Sequence, residues 1–296
     1  MSAIRITRAG PLATLQDAGR PGLLRHGISA SGPMDRTAFE RAGVWLGAAG
    51  ATGIEFTTAG LGFVAEGSVS IAVDGGSFEL SIDGEAKSWP SRALLSAGSI
   101  VDIRPGPAGN YGYLRFDREI DVPLVMGSRA TSSIAGIGGL DGRALRAGDV
   151  LPLGATLPRG RGQHPTPATV ADGPIRVIRG IHADRFSNAI RQRFVTDAFA
   201  VSPQLDRMGV RLADPGQVFA EAKILSLVSD AVVPGDIQIL GDGTPIVLMR
   251  DHQPTGGYPR IATVVTADLD RFSQLRPGTQ VRFAPVTVAH AEGLKP

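Results

Sequence analysis

The chain has 296 residues, of which 43% are hydrophobic and 5% aromatic, with 39 glycines, 21 prolines and no cysteine. Thirty basic against 28 acidic residues leave a formal charge of +2. The sequence pI of about 9.3 reflects how little titrates above neutral pH in a cysteine-free chain, so nucleic-acid binding gains no support. Disulfides, thiolate zinc sites and cysteine nucleophiles are excluded.

Lys87, Lys223 and Lys295 are the only lysines. There is no Met-Lys-Met site for covalently attached biotin. There is no phosphate-loop lysine either, because Lys223 follows Ala-Glu-Ala. No apolar run is long enough to span a bilayer, and MSAIRITRAG lacks a signal-peptide core. No membrane association and a cytoplasmic location are therefore expected. The length suits two domains, and many glycines and prolines with few aromatics suit short strands and tight turns.

In chain order, the first polar, glycine-rich segment is Gly10 to Asp35. It places Gln16, Asp17 and Arg20 around Gly19, and Ser29, Ser31 and Asp35 around Gly32. An acid, a fixed cation and an amide in one such loop can orient a carbonyl or carboxylate; a surface ion pair with turn glycines is the plainer reading. A helix follows near Pro33, capped by Ser31 or Gly32, burying Phe39, Ala42, Trp45 and Leu46. Gly67 to Val73 and Ser77 to Ile82 alternate about Asp74-Gly75-Gly76 and predict a hairpin, and Asp83-Gly84 and Asp242-Gly243 predict two more turns. LSAGSIVDI, LRAGDVLPL and LRPGTQVRF repeat one phrase: a leucine, a turn glycine, a short apolar strand.

The segment from Pro158 to Pro174, rich in proline and polar residues and containing His164, is the best boundary. It divides the chain into residues 1–165 and 166–296. A second helix is expected from about Asp184 to Phe194, with Phe186, Ile190 and Phe194 on one stripe. A third is expected from about Ala267 to Leu275, with Leu269, Phe272 and Leu275 inward.

The most informative stretch is DHQPTGGYPRIATV, Asp251 to Val264. An apolar strand, Pro245 to Met249, empties into a turn with His252, Gln253, Thr255, Gly256, Gly257 and Tyr258, and a second apolar strand follows. Paired glycines permit close approach or positive φ, and the flanking polar side chains suit a small polar ligand; a structural turn in a β protein explains the same residues. Other readings fail. Gly136 to Gly142 misses the dinucleotide spacing. His26, His182, His252 and His290 lack metal-ligand spacing, so no metal site is expected. There is no G-x-S-x-G elbow and no serine-amidase signature.

Together, LQDAGRPG, SGPMD, IDVPLVMGSRAT, GGLDGRALRAGDVLPLG, DRMGVRL, PIVLMRDHQPTGGYP and LRPGTQVRF resemble one family. It is variously called allophanate hydrolase subunit 2, the C component of 5-oxoprolinase, KipA-like protein and biotin-dependent carboxyltransferase domain. The resemblance implies a mainly β chain of two cyclophilin-like β-barrel domains with a few short helices, and a site in the cleft between them. It implies the C component of an ATP-dependent 5-oxoprolinase, a hydrolase acting on a cyclic amide and inactive without a KipI-like B component and a LamB-like A component. ATP is then a co-substrate of the complex.

The alternatives are a carboxyltransferase acting on a urea or amide nitrogen, with carboxybiotin on another chain, and a non-catalytic KipA-like regulator that binds a KipI-like inhibitor. On the shared N–C=O substrate, the expected catalytic residues are Asp17, Arg20 and Gln253. The expected binding residues are Gln16, Ser31, Asp35, Asp206, Arg207, Thr255, Gly256, Gly257 and Tyr258. Arg250, Pro254, the stretch Leu114 to Glu119, and Gln204-Leu205 depart from the family pattern.

Overall fold

The computed structural model describes residues 2–158, 173–222 and 227–294. The expected linker and His164 thus lie largely outside the described residues. The chain forms two compact units, Met1–Pro21 with Ala30–Ala168, and Gly22–Ser29 with Thr169–Pro296. The fold is mainly β, as expected, with four α-helices among the described residues.

In the first unit two antiparallel sheets enclose one core. The seven-stranded sheet runs, edge to edge, Arg118–Ile120, Val150–Thr156, Ser2–Ala9, Leu61–Ala65, Ile100–Pro105, Phe78–Ile82, Glu85–Lys87. The five-stranded sheet runs Thr14–Gln16, Gly53–Thr57, Tyr111–Phe116, Val69–Gly75, Ser91–Leu95. Ile4, Phe63, Leu80 and Ile103 from the first meet Leu15, Phe56, Ile71 and Leu114 from the second in a single buried cluster. Alternate residues of each strand turn inward, which is how two half-buried sheets share a core.

The expected hairpin about Asp74-Gly75-Gly76 is overturned here. Val69–Gly75 pairs with Tyr111–Phe116 and Ser91–Leu95, whereas Phe78–Ile82 pairs with Ile100–Pro105 and Glu85–Lys87. The glycines carry the chain from one sheet to the other. Asp83-Gly84 does close a two-residue hairpin, with both φ positive (54° and 84°), as a type I′ turn requires.

In the second unit eight strands run Gln280–Val281, Phe199–Leu205, Gly209–Ala213, Pro245–Leu248, Asp236–Ile239, Arg260–Val264, Ile175–Arg179, Phe283–Pro285. The two edge strands are separated in the chain by Arg282 alone, so the sheet curls until its edges nearly meet. Asp242-Gly243 closes the turn between Asp236–Ile239 and Pro245–Leu248, with Leu240 N–H donating to Thr244 O at 2.9 Å. Phe186, Phe194, Phe199, Phe219 and Phe283 cluster inside, with Phe194 stacked on Phe283 at 4.9 Å.

The repeated phrase is one turn built three times. The N–H groups of Gly98, Gly148 and Gly278 donate to the carbonyls of Ala65, Ile6 and Val201, each at 2.8 Å. The same three residues donate back to Ser99, Asp149 and Thr279 at 3.0, 2.8 and 3.0 Å. Each glycine holds φ between 86° and 94°, where only glycine sits without strain.

The helices are shifted from expectation. α1 spans Arg36–Leu46 and is capped by Asp35, which accepts from Ala38 N–H at 2.9 Å, not by Ser31 or Gly32. Its buried face holds Phe39, Ala42 and Leu46, while Trp45 is only half-buried. α2 spans Asn188–Thr196 because Ser187 caps it; a short 3-10 turn, Ala183–Arg185, precedes it, and Phe186 lies in the extended joint between them. α3 spans Thr266–Ser273, so Leu275 falls beyond its end. α4, Val288–Glu292, is capped by Thr287.

Candidate functional site

In the first unit the Gln16 side chain joins three segments. Its Nε2 donates to Thr14 Oγ1 at 3.0 Å and Thr131 O at 3.2 Å, and its Oε1 accepts from Gly32 N–H at 3.0 Å. Asp17 completes the clasp. Oδ1 accepts from Gly19 N–H at 2.8 Å and Ser128 Oγ at 2.6 Å, and Oδ2 accepts from Arg129 N–H at 2.6 Å. Arg20, 2% exposed, donates to the carbonyls of Val125 and Ser128 at 3.4 and 3.5 Å and to that of Ala130.

The three expected side chains therefore hold the 125–131 segment against the 16–20 turn. Asp35 caps α1, and its N–H donates to Tyr113 Oη at 2.7 Å. That hydroxyl donates in turn to the fully buried Glu55 at 3.0 Å. Burial first, and then the Glu55 charge, push the Tyr113 phenol well above its usual range.

Ser31 differs from these. It is fully buried with φ 57°, a backbone region L-residues avoid, and its Oγ has no hydrogen-bond partner among the described residues. The Oγ1 of Thr131, 1% exposed, is also unsatisfied. Backbone strain and an unsatisfied buried hydroxyl thus coincide at one residue.

In the second unit Asp251 and Arg207 form a buried pair, with Nε to Oδ2 at 2.8 Å and Nη2 to Oδ1 at 3.2 Å. The backbone reinforces it, Asp251 N–H donating to Arg207 O at 2.7 Å. Asp206, exposed, accepts from Met208 and Gly209 N–H at 2.7 and 3.1 Å and so closes its own turn. His252 is 4% exposed, and burial holds its imidazole below the usual histidine range. Its Nδ1 lies 2.6 Å from Gln253 O.

Beyond it, Thr255–Gly256 pairs with Asp230–Ala231 in a two-residue ribbon. Thr255 and Tyr258 are exposed; Gln253, Gly256 and Gly257 are half-buried. Neither paired glycine has positive φ, so of the two expected alternatives positive φ does not apply. Close approach is what they provide. A Cβ on Gly256 would lie 2.4 Å from Gln238 Nε2, and one on Gly257 2.9 Å from Leu227 O.

Residues 26–285 match the carboxyltransferase domain family, subdomains A and B. The chain belongs to this family. It is 34% identical to the C component of 5-oxoprolinase from Escherichia coli K12 over 97% of this chain and 93% of that protein. It is 32% identical to the Haemophilus influenzae protein of the same name, over 96% and 91%. Urea amidolyase of Saccharomyces cerevisiae is 30% identical, but its match takes in 99% of this chain and only 17% of that longer protein. Among solved structures, the Kluyveromyces lactis urea amidolyase superposes with a TM-score of 0.88 at 28% identity, covering 98% of this chain and 19% of that one.

Two of the residues expected to depart from the family pattern are engaged locally. Arg250, 5% exposed, donates to Asp270 of α3 at 2.8 Å. Arg115 lies 3.9 Å over the Phe39 ring and donates to Phe39 O at 2.9 Å and to Gly50 O. Burial pulls its pKa down to about 10. Both arginines brace a helix. Sequence reading missed Gln238, in the strand Asp236–Ile239, and Thr131, which lay unremarked in IDVPLVMGSRAT.

Proposed function

We propose that this chain is the C component of an ATP-dependent 5-oxoprolinase, opening the lactam of 5-oxoproline to glutamate with a KipI-like B component and a LamB-like A component. One observation carries the reading. The match to the 5-oxoprolinase C component runs nearly end to end in both proteins, whereas the urea enzymes match only through a fraction of their length.

The chemistry agrees with the side chains available. Lactam hydrolysis adds water to a resonance-stabilised carbonyl, breaks the C–N bond and delivers a proton to the departing nitrogen. It needs hydrogen-bond donors on the carbonyl oxygen and close control of protons. Gln253, Thr255 and the Gly256 and Gly257 backbone supply neutral polar groups on one turn, and Ser31 supplies a buried hydroxyl.

In this reading ATP is a co-substrate of the complex. The Gly136–Gly142 loop closes on itself, Gly142 N–H donating to Gly138 O at 2.7 Å, and opens no helix.

The test is reconstitution. The purified chain is expected to show little 5-oxoproline-dependent ATP hydrolysis, and adding the B and A components is expected to restore it together with glutamate release. Robust turnover by the chain alone, or none by the assembled complex, rejects the proposal. A second reading, carboxyl transfer to a urea or amide nitrogen from carboxybiotin on another chain, is favoured by the family match and the urea-enzyme superposition. It predicts carboxylation in the presence of a biotin carboxylase and a biotinyl domain instead.

A further inference from the structure

Gln238 lies in the strand Asp236–Ile239, opposite Ile246 on one side and Arg260 on the other, and is 1% exposed. Its Oε1 accepts from Gln253 Nε2 at 3.4 Å. Its own Nε2 has no hydrogen-bond partner among the described residues. A buried amide N–H without a partner is a standing cost to the fold, and native chains rarely tolerate one without a use.

The atoms around it show where that donor faces. Gly256 stands over Nε2 so closely that any Cβ would come within 2.4 Å of it, with Val232 Cγ1 at 3.3 Å. Gly256 is itself half-buried and its neighbour Thr255 exposed. The Thr255–Gly256 strand, part of the polar turn itself, is therefore what covers the unsatisfied donor. Gln253, anchored on Oε1, turns Nε2 toward that strand.

We propose that Gln238 is the amide-recognition residue of the Gln253–Tyr258 turn. When the Thr255–Gly256 strand shifts aside, its Nε2–H donates to the carbonyl oxygen of an amide- or urea-type substrate, with Gln253 holding the carboxamide in register. Glycine at 256 is required because a side chain there would push the amide away from its ligand. The substrate class rests on the functional reading above, while the donor and its geometry do not. A neutral donor suits a neutral carbonyl: it desolvates cheaply and leaves no buried charge when the site is empty.

The proposal predicts a combination that a purely structural glutamine would not show. Gln238→Met keeps the volume and removes the unsatisfied donor, so the melting temperature holds or rises while affinity for the amide falls at least tenfold. Binding is measured on the full chain with 5-oxoproline and with urea as separate probes. The side-chain 15N–H2 resonances of Gln238, identified by their absence from the Gln238→Met spectrum, read the contact directly, whatever the variant's stability.

A shift of those resonances on adding 5-oxoproline supports both the recognition role and the lactam reading. A shift with urea alone supports the recognition role and counts against the lactam. No shift with either probe overturns the inference while leaving the reconstitution test of function standing. Gly256→Ala is expected to abolish the shift in the wild-type background and to cause no further loss of affinity in Gln238→Met. Additive losses overturn the proposed coupling.

Discussion

Asp17→Asn separates a chemical role for this carboxylate from a mechanical one. Asp17 is 6% exposed and accepts three short hydrogen bonds, from Gly19 and Arg129 N–H and from Ser128 Oγ. Asparagine keeps one acceptor oxygen, so an NH2 group must face the donors on the other side. One bond to a charged group is lost, at about 1.5–3 kcal/mol, and the surviving bonds fall to roughly half their strength once the charge is gone. The sum is about 3–6 kcal/mol. For a domain of this size each kcal/mol lowers the melting temperature by about 2–4 °C, so a fall of roughly 6–24 °C is expected. Both tryptophans, Trp45 and Trp89, lie in the first unit, so intrinsic fluorescence during urea or thermal unfolding reports on the unit that holds Asp17. An unchanged midpoint together with lost turnover in the assembled complex would refute this reasoning and return Asp17 to the part of proton acceptor.

Three further outcomes are expected. Gly257→Ala places a Cβ 2.9 Å from Leu227 O and strains the Leu227 N–H to Gly257 O bond of 2.6 Å, costing about 1–3 kcal/mol; a wild-type melting curve removes this account of the glycine. Arg207→Met leaves the Asp251 carboxylate buried without its partner, at about 3–5 kcal/mol, and adding Asp251→Leu recovers most of the loss in urea titrations; strictly additive losses show that the pair is not the interaction. His252 is held by burial below the 6.5 of a free histidine, against weaker opposing effects from the Gln253 backbone and then from Asp236 and Asp251. The unfolded chain therefore binds the proton first, and stability is lost as pH falls below about 6.5. His252→Gln flattens that slope between pH 7.5 and 5.5 relative to wild type, and parallel slopes reject the assignment.

How far the sequence could be read depended on whether a feature was local. The Asp83-Gly84 hairpin and the thrice-used glycine turn were legible because both need positive φ at fixed offsets, and glycine announces it. The Asp74-Gly75-Gly76 segment carries the same announcement and misleads. Turn chemistry shows that the chain bends but not which sheet receives the next strand, and here Phe78–Ile82 pairs elsewhere. The helix starts were displaced by caps: Asp35 and Ser187 each satisfy a first-turn N–H, and the hydrophobic stripe alone does not locate that residue. Gln238 was invisible for a different reason. Its unsatisfied amide exists only because Gly256, eighteen residues later, lies over it, a relation with no local signature.

The charged residues that stood out most in the motifs turn out to be engaged with their own neighbours. Asp17 and Arg20 clasp the 125–131 segment, Asp251 and Arg207 satisfy each other, and Asp206 closes its turn. A buried ion pair contributes little net stability but fixes geometry, because removing either partner is so costly. Such pairs make rigid walls. The buried atoms without a partner among the described residues include three neutral groups: the hydroxyls of Ser31 and Thr131 in the first unit and the carboxamide of Gln238 in the second. Such neutral donors suit an amide or urea carbonyl, while a carboxylate on the same ligand calls for a cation in addition. Within each unit fixed charges hold the loops, and in the second the Gln238 carboxamide is the neutral donor proposed to meet an N–C=O group. That division of labour is the physical reason to look for an amide as the substrate.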